Sequence, residues 1–185
     1  GDIVLDCGAN VGVYTREALA KGARIVVAIE PAPEPLTCLR RNFEREVQKG
    51  SVIVYPKGVW DSDTTLRLTT NVKFSSTAAS VALDRGETGP EVQLTTVDKL
   101  NSELQLPRVD FIKMDVEGSE AHALNGAAHV LAVHKPRLAI SMEHKQSDPD
   151  EIPALVQRLN AQYRMRRGEC GSATGRVQPE VLLAW

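Results

Sequence analysis

The sequence is poor in the features that mark several protein classes. Three cysteines, Cys7, Cys38 and Cys170, lie far apart and form no Cys-x-x-Cys pair. Such sparse, odd-numbered thiols argue against a disulfide framework or a zinc cage, and for reduced cysteines in a cytoplasmic protein. No run reaches the roughly 18 apolar residues that cross a bilayer, and no signal peptide is visible. Lysine plus arginine total 22 against 24 aspartates and glutamates, a net charge of -2. A general nucleic-acid binder shows a basic excess that is missing here. Internal repeats and low-complexity segments are missing too.

What is present is ordinary globular composition, 42% hydrophobic and 25% charged over 185 residues. That length suits one domain, residues 1–185, with a full core. The chain opens almost directly on a strand, as one truncated at its N-terminus would.

Strand and helix patterns then alternate. Residues 3–6 read as a first strand. Residues 14–21 read as a helix stopped by Gly22, a residue type favoured just past a helix end. Residues 24–29, RIVVAI, form the continuous apolar run of a parallel strand covered on both faces. A helix over 33–45 would put Leu36, Leu39 and Phe43 on one face. Further strands fall at 52–55, 109–114 and 137–142. Ala121, Leu124, Ala128 and Leu131 make one helical stripe. Another helix opens at Pro149 and buries Ile152, Leu155, Val156 and Leu159. Residues 163–167 and 181–185 are joined by a link too short for a helical crossover, so they pair antiparallel.

The expected fold class is therefore α/β and doubly wound. Its seven-stranded sheet is mostly parallel and ends in antiparallel closing strands. A small β-rich insertion at 60–100 breaks the rhythm. There Leu66 and Leu68, then Val92 and Leu94, alternate with polar residues.

The first strand runs into Asp6-Cys-Gly-Ala-Asn-Val-Gly12 and then a helix. In open α/β sheets this turn holds a nucleotide-like cofactor. The dinucleotide fingerprint G-x-G-x-x-G would need glycine at 10 and 13, where Asn10 and Val13 stand. The pattern is D-x-G-x-N-x-G instead. Gly8 lets the backbone approach a ligand, Asn10 tolerates positive φ, and Ala9 and Gly12 complete the turn. Asp6 stands where a carboxylate could receive a cofactor's ammonium group. Cys7 reads as small core packing. Glu30, followed by Pro31, ends the second strand some 20 residues past the glycines. An acid there binds ribose hydroxyls. After the third strand, Trp60 either stacks on an adenine or covers core. Asp61 is a candidate acceptor for the adenine amino group.

The second dense motif is Lys113-Met-Asp-Val-Glu-Gly-Ser-Glu120. It brings Asp115, Glu117 and Glu120 to the carboxyl edge of the sheet, beside the first strand. Glu120 suits a helix N-terminus, where acids are favoured. Asp115, at the strand end, is the stronger catalytic candidate. The next strand ends in Ser141-Met-Glu-His-Lys145, which adds Glu143 and His144 to the same crevice.

DCGANVG, then EP, then DFIKMDVEGSE, with Thr96-Val-Asp98 before the last, resemble the FkbM-type methyltransferase family over nearly the whole chain. The antiparallel closure likewise resembles the S-adenosylmethionine-dependent methyltransferase fold. The resemblance implies methyl transfer from S-adenosylmethionine to oxygen, often on sugars or polyketide-like products. It implies Asp6, Gly8, Asn10, Gly12 and Glu30 as cofactor residues. Asp115 and Glu117 fall on its motif after the fourth strand. The acceptor does not carry over; a small molecule or glycan is the expected partner.

A sugar hydroxyl is a poor nucleophile at neutral pH, so a base or a metal is needed. Asp115 and Glu143 could together bind Mg2+ through hard oxygens. Alternatively, His144 or Glu143 takes the proton. Spacing alone assigns no metal ligand. No Asn/Asp-Pro-Pro-Tyr follows the fourth strand, and no cysteine follows a proline. Both absences disfavour nucleic acid as the substrate. Two other readings stay in view. An NAD-linked oxidoreductase is opposed by the missing third glycine and the antiparallel closure. A non-catalytic module that binds an adenosyl ligand is opposed by the intact acids at 115, 117 and 143. The oligomeric state is not legible.

Overall fold

The computed structural model describes residues 1–70, 79–80, 89–172 and 177–185. At its centre is a seven-stranded sheet. Its strands are β1 (Ile3–Cys7), β2 (Ile25–Ile29), β3 (Val52–Tyr55), β4 (Phe111–Met114), β5 (Arg137–Ser141), β6 (Met165–Arg167) and β7 (Val181–Ala184). The order across it is β3-β2-β1-β4-β5-β7-β6. β3 through β5 are parallel, and β7 runs antiparallel to both of its neighbours. This is the doubly wound sheet with antiparallel closure that the sequence leads one to expect.

The period-two geometry of a strand covered on both faces explains why β1 is apolar at Ile3, Val4, Leu5 and Cys7, with Asp6 its one charged residue. Ile3, Leu5 and Cys7 enter the largest core, with Ile29, Ile112 and Leu138. Val4 faces the other way, against Ala18 and Val26. Helices α1 (Val13–Ala20), α2 (Pro33–Asn42) and α3 (Glu44–Gln48) cover that second face. The first face is covered by α4 (Val97–Glu103), α5 (Glu120–Asn125), α6 (Ala128–Val133) and α7 (Asp148–Leu159). Burial, reinforced by the neighbouring Asp6, pushes the Cys7 thiol up to about 12, so it is inert packing.

The helices depart from expectation in three places, each with a local cause. The helix expected over 33–45 breaks at Phe43, whose backbone leaves the helical region at φ -120 and ψ 22. The break seats the buried Phe43 ring against Gly12, where a Cβ would lie 2.1 Å from Phe43 Cε2. The stripe from 121 to 131 splits into α5 and α6 at Gly126. A Cβ there would meet the Trp60 carbonyl oxygen at 2.0 Å. The Asp98 carboxylate accepts the His129 and Val130 amides at 2.9 Å, so it caps α6 from a distance. The third departure is α4, which lies where the sequence shows only the end of the insertion. Thr96 caps it, its hydroxyl oxygen accepting the Lys99 amide at 3.0 Å.

The insertion is β-rich where it is described. Gly58–Val59, Glu91–Thr95 and Thr64–Arg67 form a three-stranded sheet. Its Leu66, Leu68, Val92 and Leu94 pack with Trp60 and Ala32. Thr69–Thr70 pairs with Ala79–Ser80. The remainder of the expected insertion, 71–78 and 81–88, lies outside the described residues, as do 173–176 of the closing link. Among the described residues, no helix is long and apolar enough to cross a membrane.

Candidate active site

Parallel strands β1, β2 and β4 all end at one edge, and a cleft of about 720 Å³ opens there. That lies within the roughly 300–1,000 Å³ of small-molecule sites. Gly8, Ala9, Asn10, Glu30, Pro31 and Asp115 line it, and Glu117 joins them. The loop after β1 alternates into positive φ at Gly8 (78°), Asn10 (51°) and Gly12 (92°). Asn10 thus takes the left-handed conformation of the glycine it replaces.

Gly8 is required for a reason the sequence does not disclose. A Cβ on it would lie 1.9 Å from the Asp115 carbonyl oxygen. The missing side chain lets the ends of β1 and β4 meet, which brings Asp115 beside the loop. Gly12 does not line the cleft; its vacancy is filled by Phe43 and Leu39.

Glu30 sits on the cleft wall. Its Oε2 accepts the Asn10 amide at 2.8 Å, and its Oε1 accepts the Ala32 amide at 2.8 Å. Burial pushes its carboxyl above the usual range, while those amides and then Lys113 pull it partly back. Each oxygen keeps a lone pair for a ligand hydroxyl.

Asp6 is placed differently from expectation. It is 0% exposed, lies under α1, and does not line the cleft. Thr15 Oγ1 donates to its Oδ2 at 2.7 Å, and Lys113 Nζ stands 3.3 Å from its Oδ1. Its carboxylate is engaged inside the protein and not presented to an ammonium group. Lys113 is a site residue that sequence reasoning passed over. Its Nζ donates to the Gly8 carbonyl at 2.8 Å and stands 3.8 Å from Asp115 Oδ2. The signal was available: one lysine in an apolar strand, two residues before Asp115 and so on the same face.

Trp60 and Asp61 are also elsewhere. Trp60 is buried in the insertion's small core, its ring stacked on His122 with centroids 3.8 Å apart. Asp61 Oδ2 lies 2.5 Å from His122 Nδ1, which holds the Asp61 carboxyl below its usual range. Neither lines the cleft. Of the alternatives weighed for Trp60, core cover is the one the structure displays.

At the far end of the cleft, acids converge on His144. Its Nε2 lies 3.5 Å from Asp115 Oδ1 and 3.5 Å from Glu117 Oε2, and its Nδ1 lies 3.1 Å from Glu120 Oε1. Burial disfavours the imidazolium, but Glu120, Glu117 and Asp115 outweigh it and push His144 up to about 9. His144 is therefore protonated at neutral pH, which opposes a direct role as general base. Glu120 begins α5, as expected, yet it does more than suit a helix start. Buried, it reaches back to accept the Val116 amide at 2.9 Å. Glu117 holds a left-handed φ of 55°, which costs about 1 kcal/mol. Such strain clusters at functional sites. Glu143 is partly buried and its carboxyl is raised by burial, then by Glu180. It lies outside the trio of Asp115, Glu117 and His144, whose ligand atoms approach within 4.8 Å of one another.

Known proteins share this architecture. A methyltransferase FkbM from Methylobacillus flagellatus KT superposes with a TM-score of 0.74 at 22% identity, covering 100% of this chain and 44% of that one. SMU.1697c from Streptococcus mutans, solved in complex with SAH, gives a TM-score of 0.58 at 13% identity, covering 100% of this chain and 86% of that one. At these identities the likeness is one of fold. In sequence, hexuronic acid methyltransferase AglP of Haloferax volcanii is 24% identical over 155 residues, 84% of this chain. The chain spans 61% of the length of that relative. The pattern of the methyltransferase FkbM domain matches residues 6–165. With the β1 loop, Glu30 and the Asp115 motif all inside that match, the chain belongs to the FkbM methyltransferase domain family.

Proposed function

We propose that the chain binds S-adenosylmethionine and transfers its methyl group to a hydroxyl oxygen of a small molecule or glycan. The observation that carries this reading is Glu30. Its carboxylate is fixed by two loop amides on the wall of a cleft large enough for a nucleoside with an amino-acid tail. Two oxygens held so are set to accept two ribose hydroxyls.

When bound, S-adenosylmethionine supplies an electrophilic methyl on a sulfonium. The protein's own part is alignment and proton removal. Ala9 and Asn10 line the cleft from the loop after β1, and Pro31 and Ala32 line it from the loop after β2. Asp115 and Glu117 line the opposite end, where an acceptor hydroxyl would meet the methyl group. Asp115 is the proposed acceptor of the hydroxyl proton, with imidazolium His144 behind it orienting the carboxylate. The hexuronic acid relative favours a sugar as the acceptor. Neither Trp60 nor Asp61 is needed for this reading. The test uses methyl-13C-labelled S-adenosylmethionine with hexuronic-acid glycans and NMR detection. A base-stable ether methyl on the sugar is expected. A base-labile ester methyl, or no label on any acceptor oxygen, would contradict hydroxyl transfer.

A further inference from the structure

We propose that Asp115, Glu117 and His144 form a divalent-cation site at the acceptor end of the cleft. The proposal rests on the methyl-transfer reading above only for its use, not for its geometry. One ligand atom from each residue lies within 4.8 Å of the other two. His144 Nε2 stands 3.5 Å from Asp115 Oδ1 and from Glu117 Oε2. These separations are long for hydrogen bonds. They suit ligands around one ion, where metal bonds of about 2.1 Å put neighbouring ligands about 3–3.5 Å apart.

The imidazole is aimed from behind. Glu120 Oε1 lies 3.1 Å from His144 Nδ1, and the Val116 amide fixes that carboxylate at 2.9 Å. A buried carboxylate on one ring nitrogen sets the tautomer and turns the other nitrogen toward a metal. A separate observation asks for positive charge here. Glu120 is 1% exposed, and its second oxygen, Oε2, is buried without a hydrogen-bond partner. With His144 ligating as a neutral imidazole, a bound ion would supply the positive charge that this buried carboxylate otherwise draws from the imidazolium 3.1 Å away. Glu143 and Asp148 add two further acids within electrostatic reach of His144.

Two carboxylate oxygens and one imidazole nitrogen match an ion of the Mn2+ type better than Ca2+, which prefers oxygen alone. Three protein ligands leave coordination positions open toward the cleft. A hydroxyl entering one of them loses its proton more readily. With the ion bound, His144 would ligate as the neutral imidazole, the ion taking the place of the Nε2 proton, and the site would activate the acceptor.

The test is Mn2+ titration of the EDTA-treated chain, without cofactor, followed by electron paramagnetic resonance. One ion per chain is expected. Glu117→Gln and His144→Gln should each weaken binding about tenfold or more. Glu91→Gln, an exposed acid paired with Arg67 in the insertion sheet, should leave it within about twofold. Circular dichroism and melting without metal establish that each variant is folded. If His144→Gln does not fold, Glu117→Gln, whose side chain is 35% exposed, carries the test alone. Absence of saturable Mn2+ binding, or undiminished binding by the folded variants, overturns the site. S-adenosylhomocysteine is titrated in parallel. Its binding without Mn2+ binding removes only the metal site, whereas Mn2+ binding without it removes only the methyl-transfer reading.

Discussion

Glu30 Oε2 accepts the amide N–H of Asn10 at 2.8 Å, tying the end of β2 to the loop after β1. The two residues stand 20 apart in sequence and share one wall of the cleft. Glu30→Ala removes this tie and the proposed ribose acceptor together. Hydrogen bonds to charged groups contribute about 1.5–3 kcal/mol each. Affinity for S-adenosylhomocysteine should fall about 30-fold or more, as measured by calorimetry. The melting temperature should fall too, because the Asn10 and Ala32 amides lose their acceptor.

Gly8→Ala tests the contact between strand ends. Its Cβ would lie 1.9 Å from the Asp115 carbonyl oxygen, and the residue has a φ of 78°. Backbone on both sides leaves no flexible group to move. A loss of about 2–4 kcal/mol in urea unfolding is expected, with cofactor binding abolished. An alanine variant of unchanged stability would show that the approach is not tight.

Lys113→Met tests the buried charge pair. Asp6 is 0% exposed and faces Lys113 across the β1–β4 register. Removing one member of a buried pair costs about 3–5 kcal/mol. Urea unfolding should show that loss. The double variant Asp6→Asn, Lys113→Met should lose less than the sum of its parts.

His144 makes the metal-free protein's stability depend on pH. Its folded value of about 9 lies above the ordinary 6.5. The contribution is therefore full below pH 6.5 and is lost as pH rises through 9. The effect is on the order of 2 kcal/mol. Chemical unfolding of EDTA-treated protein at pH 6 and pH 10 measures it, and His144→Gln should flatten the difference.

The corrected placement of Asp61 gives a negative prediction. Asp61→Asn should leave affinity for S-adenosylhomocysteine within about twofold, since the residue is exposed and paired with His122 away from the cleft. A larger loss would return Asp61 to the adenine site.

The sheet was legible because its strands are covered on both faces. Runs such as 25–29 then carry no polar interruption, and the link between the closing strands is too short for a helix. Cleft residues at strand ends, Gly8, Asn10, Glu30 and Asp115, were legible for the same reason: a strand end in a parallel sheet faces the crevice. What stayed hidden depended on partners distant in sequence. The break at Phe43 needs Gly12, and the break at Gly126 needs the Trp60 carbonyl. Asp6 reads as a cofactor acid until Thr15 and Lys113 are seen to occupy it. Trp60 and Asp61 follow a strand end as cofactor residues do, yet stacking and pairing with His122 turn them to the α5 side. Glu120 looked like a helix cap; only the approach of His144 reveals its second task.

The central claim is that the cleft is built for an adenosyl ligand held through Glu30. Calorimetric titration with S-adenosylhomocysteine and, separately, with NAD tests it most directly. One S-adenosylhomocysteine per chain, no NAD heat, and loss of the signal in Glu30→Ala are the expected results. Binding of NAD without S-adenosylhomocysteine, or unchanged affinity in a folded Glu30→Ala variant, would contradict the account.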